Sequence, residues 1–176
     1  MNRIFLFSVA VGVLGFAFSA ARASAMPQVG QKAPLVSGTN QEGKEWRLAD
    51  LIGKKNILLY FYPKDQTPGC TKEACGLRDR MGDLKRQDVE VVGVSCDTVE
   101  SHKAFIAAQG LNFTLVSDPD ALIANTYGAR ALGLKLARRV SFLIDREGKI
   151  VHITDAMSAD THLKEMQAAI AALRHP

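Results

Sequence analysis

The chain has 176 residues, 47% hydrophobic and 23% charged, with three cysteines and a formal net charge of +4. These values exclude a disordered polymer and a disulfide-dense miniprotein, and they leave room for one ordinary domain. The one tight basic cluster, Lys135 to Arg139, is too small to point to a nucleic acid partner.

Met1 to Ala25 contain no acidic residue, and Arg3 precedes an apolar run from Ile4 to Ala20. Ala21-Arg22-Ala23 and Ala23-Ser24-Ala25 follow as overlapping cleavage patterns, so the sequence predicts a secretory signal over 1–25 and one mature domain over 26–176. Cleavage after Ala23 and after Ala25 both fit. A retained anchor is the alternative, because the run approaches the roughly 20 residues that span a bilayer. On the signal reading the protein is exported, periplasmic if the source is a Gram-negative bacterium, without stable membrane insertion. Loss of Arg3 and Arg22 lowers its charge to +2.

Gln28 to Leu51 shows one turn, at Glu42-Gly43. Asn56 to Tyr62 is an apolar run suited to a central strand buried on both faces, and it stops at Pro63. Thr71 to Gln87 reads as one helix with a stripe of Ala74, Leu77, Met81 and Leu84. Val89 to Ser95 is a second buried strand, Val99 to Gln109 a helix closed by Gly110, Asn112 to Val116 a short strand and Ala121 to Tyr127 a helix. Val140 to Asp145 and Ile150 to Thr154 form a hairpin around Gly148, and Ser158 to Leu173 is a final amphipathic helix with Ser158 or Asp160 as its cap. This order implies an α/β fold with a central mixed β-sheet flanked by helices.

The segment Tyr60 to Asp79, YFYPKDQTPGCTKEACGLRD, concentrates the chemistry. Thr67 stands at an N-cap position and Pro68 at the first helical position, which puts Cys70 in the first turn. Unsatisfied N–H groups and the positive end of the helix dipole stabilise a thiolate there. Cys75, five residues on, lies roughly 8.6 Å away on a regular helix, beyond the ~7 Å reach of a disulfide. The pair is a poor permanent staple and suits a switch in which oxidation at Cys70 unwinds the helix start and Cys75 attacks.

This segment resembles the peroxiredoxins of the bacterioferritin-comigratory-protein or PrxQ type. Pro63, Thr67 and Cys70 fall on the family's P-x-x-x-T-x-x-C motif, within T-P-G-C-T-x-E-A-C. The likeness begins at Val29-Gly30-Gln31-Lys32-Ala33-Pro34 and runs through VVGVS to SFLID-x-x-G-K-I. It implies a thioredoxin-like fold and a thioredoxin-dependent peroxidase acting on hydrogen peroxide and organic hydroperoxides. By resemblance, Cys70 is the peroxidatic and Cys75 the resolving cysteine of an intramolecular disulfide. A thioredoxin-like dithiol reduces that disulfide, and no cofactor takes part. Arg139 matches the arginine before the S-F-L-I-D strand that completes the site, with its neighbour Arg138 as the other candidate.

Each role has a chemical basis. The Cys70 thiolate attacks the distal peroxide oxygen and becomes a sulfenic acid. The Thr67 hydroxyl accepts from the peroxide O–H and orients the attack. Arg139 offers a fixed planar cation to thiolate and leaving oxygen. Pro63 shields the sulfur and holds the loop, and the Gly69 and Cys70 N–H groups add to the anion cradle. Glu73 is a supporting or capping residue and not a proton donor. Cys96, at a strand end, is either a packing thiol or an alternative resolving site.

Two other classes are weighed against this one. A periplasmic thiol-disulfide oxidoreductase ordinarily carries C-x-x-C at the helix start, whereas the spacing here is C-x4-C. A thiol-based metal-binding module needs converging ligands, and His102, His152, His162 and His175 show no such spacing with the cysteines. The resolving cysteine lies in the same chain, so the cycle needs no partner subunit and a monomer is expected.

Overall fold

The computed structural model describes residues 25–173, so the export signal expected over 1–25 lies, but for Ala25, outside the described residues. Seven strands form one mixed sheet: β1 (Ser37–Asn40), β2 (Glu45–Arg47), β3 (Asn56–Phe61), β4 (Val89–Ser95), β5 (Thr114–Ser117), β6 (Val140–Ile144) and β7 (Ile150–Asp155). Their spatial order is β2-β1-β5-β4-β3-β6-β7. β3, β4 and β5 pair in parallel, and the remaining neighbours are antiparallel. Among the described residues five α-helices flank them: α1 (Pro68–Asp79), α2 (Met81–Arg86), α3 (Val99–Gln109), α4 (Leu122–Thr126) and α5 (Ala159–Ala171).

The period-2 geometry of a strand divides β3 between two cores. Ile57, Leu59 and Phe61 join Val92, Val94, Phe142 and Tyr127 on one face. Leu58 and Tyr60 join Cys70, Ala74, Leu77, Phe105, Met166 and Ile170 from α1, α3 and α5 on the other. Burial on both faces explains the nearly continuous apolar run of this central strand. The Glu42-Gly43 turn expected near the N-terminus joins β1 to β2, with Gly43 at φ 79°.

The single helix expected over Thr71 to Gln87 is two. The backbone leaves helical geometry at Arg80 (φ −98°, ψ 1°), whose N–H reaches back to the Leu77 carbonyl. The Arg80 guanidinium donates to the Gly76 carbonyl (2.8 Å), satisfying an acceptor that the helix end releases. Met81 and Leu84 remain buried, so the apolar stripe survives the break. The final helix is capped as expected, with the Ser158 hydroxyl accepting from the Thr161 N–H.

Antiparallel pairing of β3 with β6 sets Phe61 opposite Val140. The residue just before β6, Arg139, is thereby brought beside the chain just after β3, from which the Cys70 loop departs. Among the described residues no helix is long and apolar enough to cross a membrane.

Candidate active site

The site begins where β3 ends. Tyr62 is buried, Pro63 is half-buried, and the loop to Thr67 includes Gln66 in the left-handed region (φ 58°). Thr67 occupies the N-cap with extended backbone (φ −79°, ψ 149°), but its side chain does not cap the helix. The hydroxyl donates instead to the Lys64 carbonyl (3.0 Å). The capping role expected for Thr67 is corrected in this respect: the hydroxyl closes the loop and does not accept from the Gly69 or Cys70 N–H. The first-turn N–H groups are left without a side-chain cap, open to an anion at the Cys70 end.

Cys70 is 2% exposed. The Arg139 Nη2 lies 3.3 Å from its Sγ, Nε donates to the Met157 carbonyl (3.1 Å), and Nη1 pairs with the Glu73 carboxylate. All three guanidinium nitrogens are engaged, so the cation is fixed with its Nη2 edge toward the sulfur. Gly69 permits this approach, since a Cβ there would sit 3.2 Å from Nη2. Of the two candidate arginines, Arg139 is the one that lies beside the Cys70 sulfur. Its neighbour Arg138 is exposed and forms an ion pair with Asp155, as alternation along an extended chain requires.

Glu73 is 1% exposed and touches His162 as well as Arg139. Burial pushes its carboxyl up to about 7, against the opposing pull of Arg139. Its place behind Arg139 is that of a supporting residue, but a carboxyl that titrates near neutrality can carry a proton there, which the sequence reading did not give it.

Cys75 lies half-buried on the same helix and its thiol is directed to the Gln109 side-chain carbonyl (3.6 Å). The Arg78 guanidinium donates to the Gln109 backbone carbonyl, tying this side of α1 to the end of α3. Cys70, Cys75 and Cys96 are all free thiols. Cys96 packs against the core on the opposite face of the sheet from Cys70. Burial, followed by the Asp118 and Asp97 carboxylates, pushes its thiol up to about 11, which suits packing better than attack.

Two groups of functional interest escaped the sequence. The Asp65 carboxylate accepts from Tyr62 Oη (2.7 Å) and Ser101 Oγ (2.7 Å) and lies 2.9 Å from His102 Nδ1, anchoring the loop before Cys70 to α3. A polar residue at position 102, on the face that α3 buries through Phe105, was the available signal. The second group is His162 with Ser141 behind Glu73. Among the described residues no cluster of three His, Cys, Asp or Glu side chains is placed to hold a metal.

Comparison with known proteins gives a consistent picture. Residues 29–153 match the AhpC/TSA family. The chain is 40% identical over 141 residues to peroxiredoxin Bcp of Escherichia coli K12, covering 77% of this chain and 90% of that one. Its fold is similar to the crystal structure of peroxidoxin BcpB from Mycobacterium tuberculosis (TM-score 0.79, 31% identity, 86% of this chain and 100% of that one). It is also similar to Xanthomonas campestris peroxiredoxin Q (TM-score 0.71, 29% identity, 78% and 90%).

Proposed function

The chain belongs to the AhpC/TSA family and is a thiol-dependent peroxidase of the Bcp peroxiredoxin type, and from that premise we propose that it reduces hydrogen peroxide and organic hydroperoxides through Cys70, with Cys75 as the resolving thiol. The observation that carries this reading is the Arg139 guanidinium 3.3 Å from the Cys70 sulfur at an uncapped helix start.

In the proposed cycle the Cys70 thiolate bonds to the distal peroxide oxygen as the O–O bond breaks. The products are a sulfenic acid and an alkoxide or hydroxide, which leaves as alcohol or water after taking a proton. Arg139 faces the charge moving from sulfur to leaving oxygen, and Thr67 with the Gly69 and Cys70 N–H groups orients the peroxide. Pro63 walls the loop. The first turns of α1 then unwind, because the helical separation of about 8.6 Å forbids a bond. Cys75 displaces water from the sulfenic acid, and a thioredoxin-like dithiol reduces the disulfide.

The chain acts in antioxidant defence as a monomer exported under the direction of residues 1–25. That export rests on the sequence pattern alone. Peptide mapping after one equivalent of peroxide tests the cycle: a Cys70–Cys75 link is expected, and a link from Cys70 to Cys96 or to a second chain would replace the resolving assignment. N-terminal sequencing of the mature protein tests cleavage after Ala23 or Ala25.

A further inference from the structure

Behind the reactive sulfur lies a buried set of charges that does not balance. Cys70, Glu73 and Arg139 are each at most 7% exposed, and Arg139 gives one nitrogen to each of the other two. With a thiolate and a carboxylate both present, two buried anions face one cation, and the second anion is costly unless a proton or another partner offsets it.

His162, on α5, is positioned to manage that proton. Gly76 lets α5 approach α1 closely, since a Cβ there would lie 2.5 Å from Leu163 Cδ1. The His162 Nε2 is 2.8 Å from the Ala156 carbonyl, which only accepts, and 3.3 Å from the Ala156 N; the shorter contact assigns the hydrogen to Nε2 and leaves Nδ1 as the acceptor of the neutral ring. Nδ1 stands 2.8 Å from Ser141 Oγ and 3.5 Å from Glu73 Oε1. Two acceptors facing one another across that gap repel unless one of them holds a proton.

We propose that His162 is a positioning residue for the active-site arginine, sharing with Glu73 a single proton whose presence leaves Arg139 to the Cys70 thiolate. This rests on the reading of Cys70 as the attacking thiol. Burial raises the Glu73 carboxyl to about 7 and lowers the His162 ring, so the proton gained as pH falls through neutrality goes to Glu73, with Nδ1 as its acceptor. The groups facing Glu73 are Arg139, Cys70 on its own helix, His162 on α5 and Tyr60 on β3, whose buried Oη has no partner in the structure. Around the His162 ring the other charges are Arg139, Glu165 and Asp155.

The test is the pH dependence of Cys70 alkylation by iodoacetamide, in a Cys75→Ser/Cys96→Ser background so that one thiol reports. The background protein is expected to show a step near neutral pH, and Glu73→Gln, which mimics the protonated acid, to erase it. His162→Gln moves the step to lower pH by about one unit and slows alkylation at pH 7 up to about fivefold. A protein carrying both substitutions behaves as Glu73→Gln alone. A His162→Gln profile identical to the background, with or without a lowered melting temperature, or effects of the two substitutions that simply add, overturns the proposal. If His162→Gln fails to fold, Ser141→Ala decides: loss of the competing hydroxyl moves the step upward, and an unmoved step overturns. Alkylation needs no peroxide, so inertness toward hydroperoxides counts against the peroxidase cycle and not against this coupling.

Discussion

His102 Nδ1 lies 2.9 Å from Asp65 Oδ2 with neither side chain more than 2% exposed, so the loop that delivers Cys70 is tied through its own carboxylate to a helix 37 residues away. Tyr62 and Ser101 donate to the same carboxylate. Removing one partner strands the others in a buried site.

Asp65→Asn is therefore expected to destabilise the fold by about 3 kcal/mol, the scale for breaking a buried pair from one side. Urea titration measures it. Burial alone would raise the Asp65 carboxyl, but hydrogen bonds from His102, Tyr62 and Ser101 outweigh it and hold the group below its ordinary value. A depressed carboxylate contributes stability that is present above its unfolded value of 3.8 and is lost as pH falls through the lower folded value. Acid unfolding below about pH 4 is expected to be less steep in Asp65→Asn than in the parent protein.

Glu73 has the opposite sign. Its folded carboxyl titrates at about 7 against an ordinary 4.5, so between these values the folded state binds more protons than the unfolded one. Stability falls as pH rises through that window, and Glu73→Gln is expected to flatten the fall. Equal slopes of melting temperature against pH in the two proteins would show that Glu73 is ionised throughout.

Arg139→Lys retains the charge and loses the planar fork that reaches Cys70, Glu73 and the Met157 carbonyl together. Peroxide consumption is expected to fall by about a hundredfold or more, as for loss of one preorganised donor. Arg138→Ala removes an exposed ion pair with Asp155 and is expected to change the rate less than twofold. Stopped-flow measurement of both variants separates the neighbours, and equal losses would mean that the loop and not the guanidinium matters.

Cys70→Ser is expected to abolish peroxide consumption. Cys75→Ser keeps one turnover and loses recycling by a dithiol, because the thiol proposed to convert the Cys70 sulfenic acid into a reducible disulfide is gone. Single-turnover and steady-state assays distinguish the two, and unimpaired steady-state turnover in Cys75→Ser would transfer the resolving role elsewhere.

Much of this was legible in the residues. The apolar run from Asn56 and the Val89 to Ser95 strand carry their double burial in composition, and Thr67-Pro68-Gly69-Cys70 marks a helix start. Arg139 was readable through resemblance, though only the alternation of neighbours on an extended chain separates it from Arg138. Asp65 with His102, and Glu73 with His162, were not legible. Each pair meets across different elements, 37 and 89 residues apart; the polar residue on the buried face of α3 marked His102 as unusual but could not name Asp65 as its partner. The break at Arg80 was hidden because the apolar stripe continues through it, with Met81 and Leu84 still buried.

The pairing of Phe61 with Val140 gives the chemistry an order in time. Cys70 and Arg139 lie 69 residues apart in the chain, and the register of two central strands brings the thiol and the guanidinium together. A chain ending before β6 holds Cys70 without its guanidinium, whatever helix it has formed. Peroxidase activity thus reports the pairing of β3 with β6, and its recovery on refolding is an assay for that pairing.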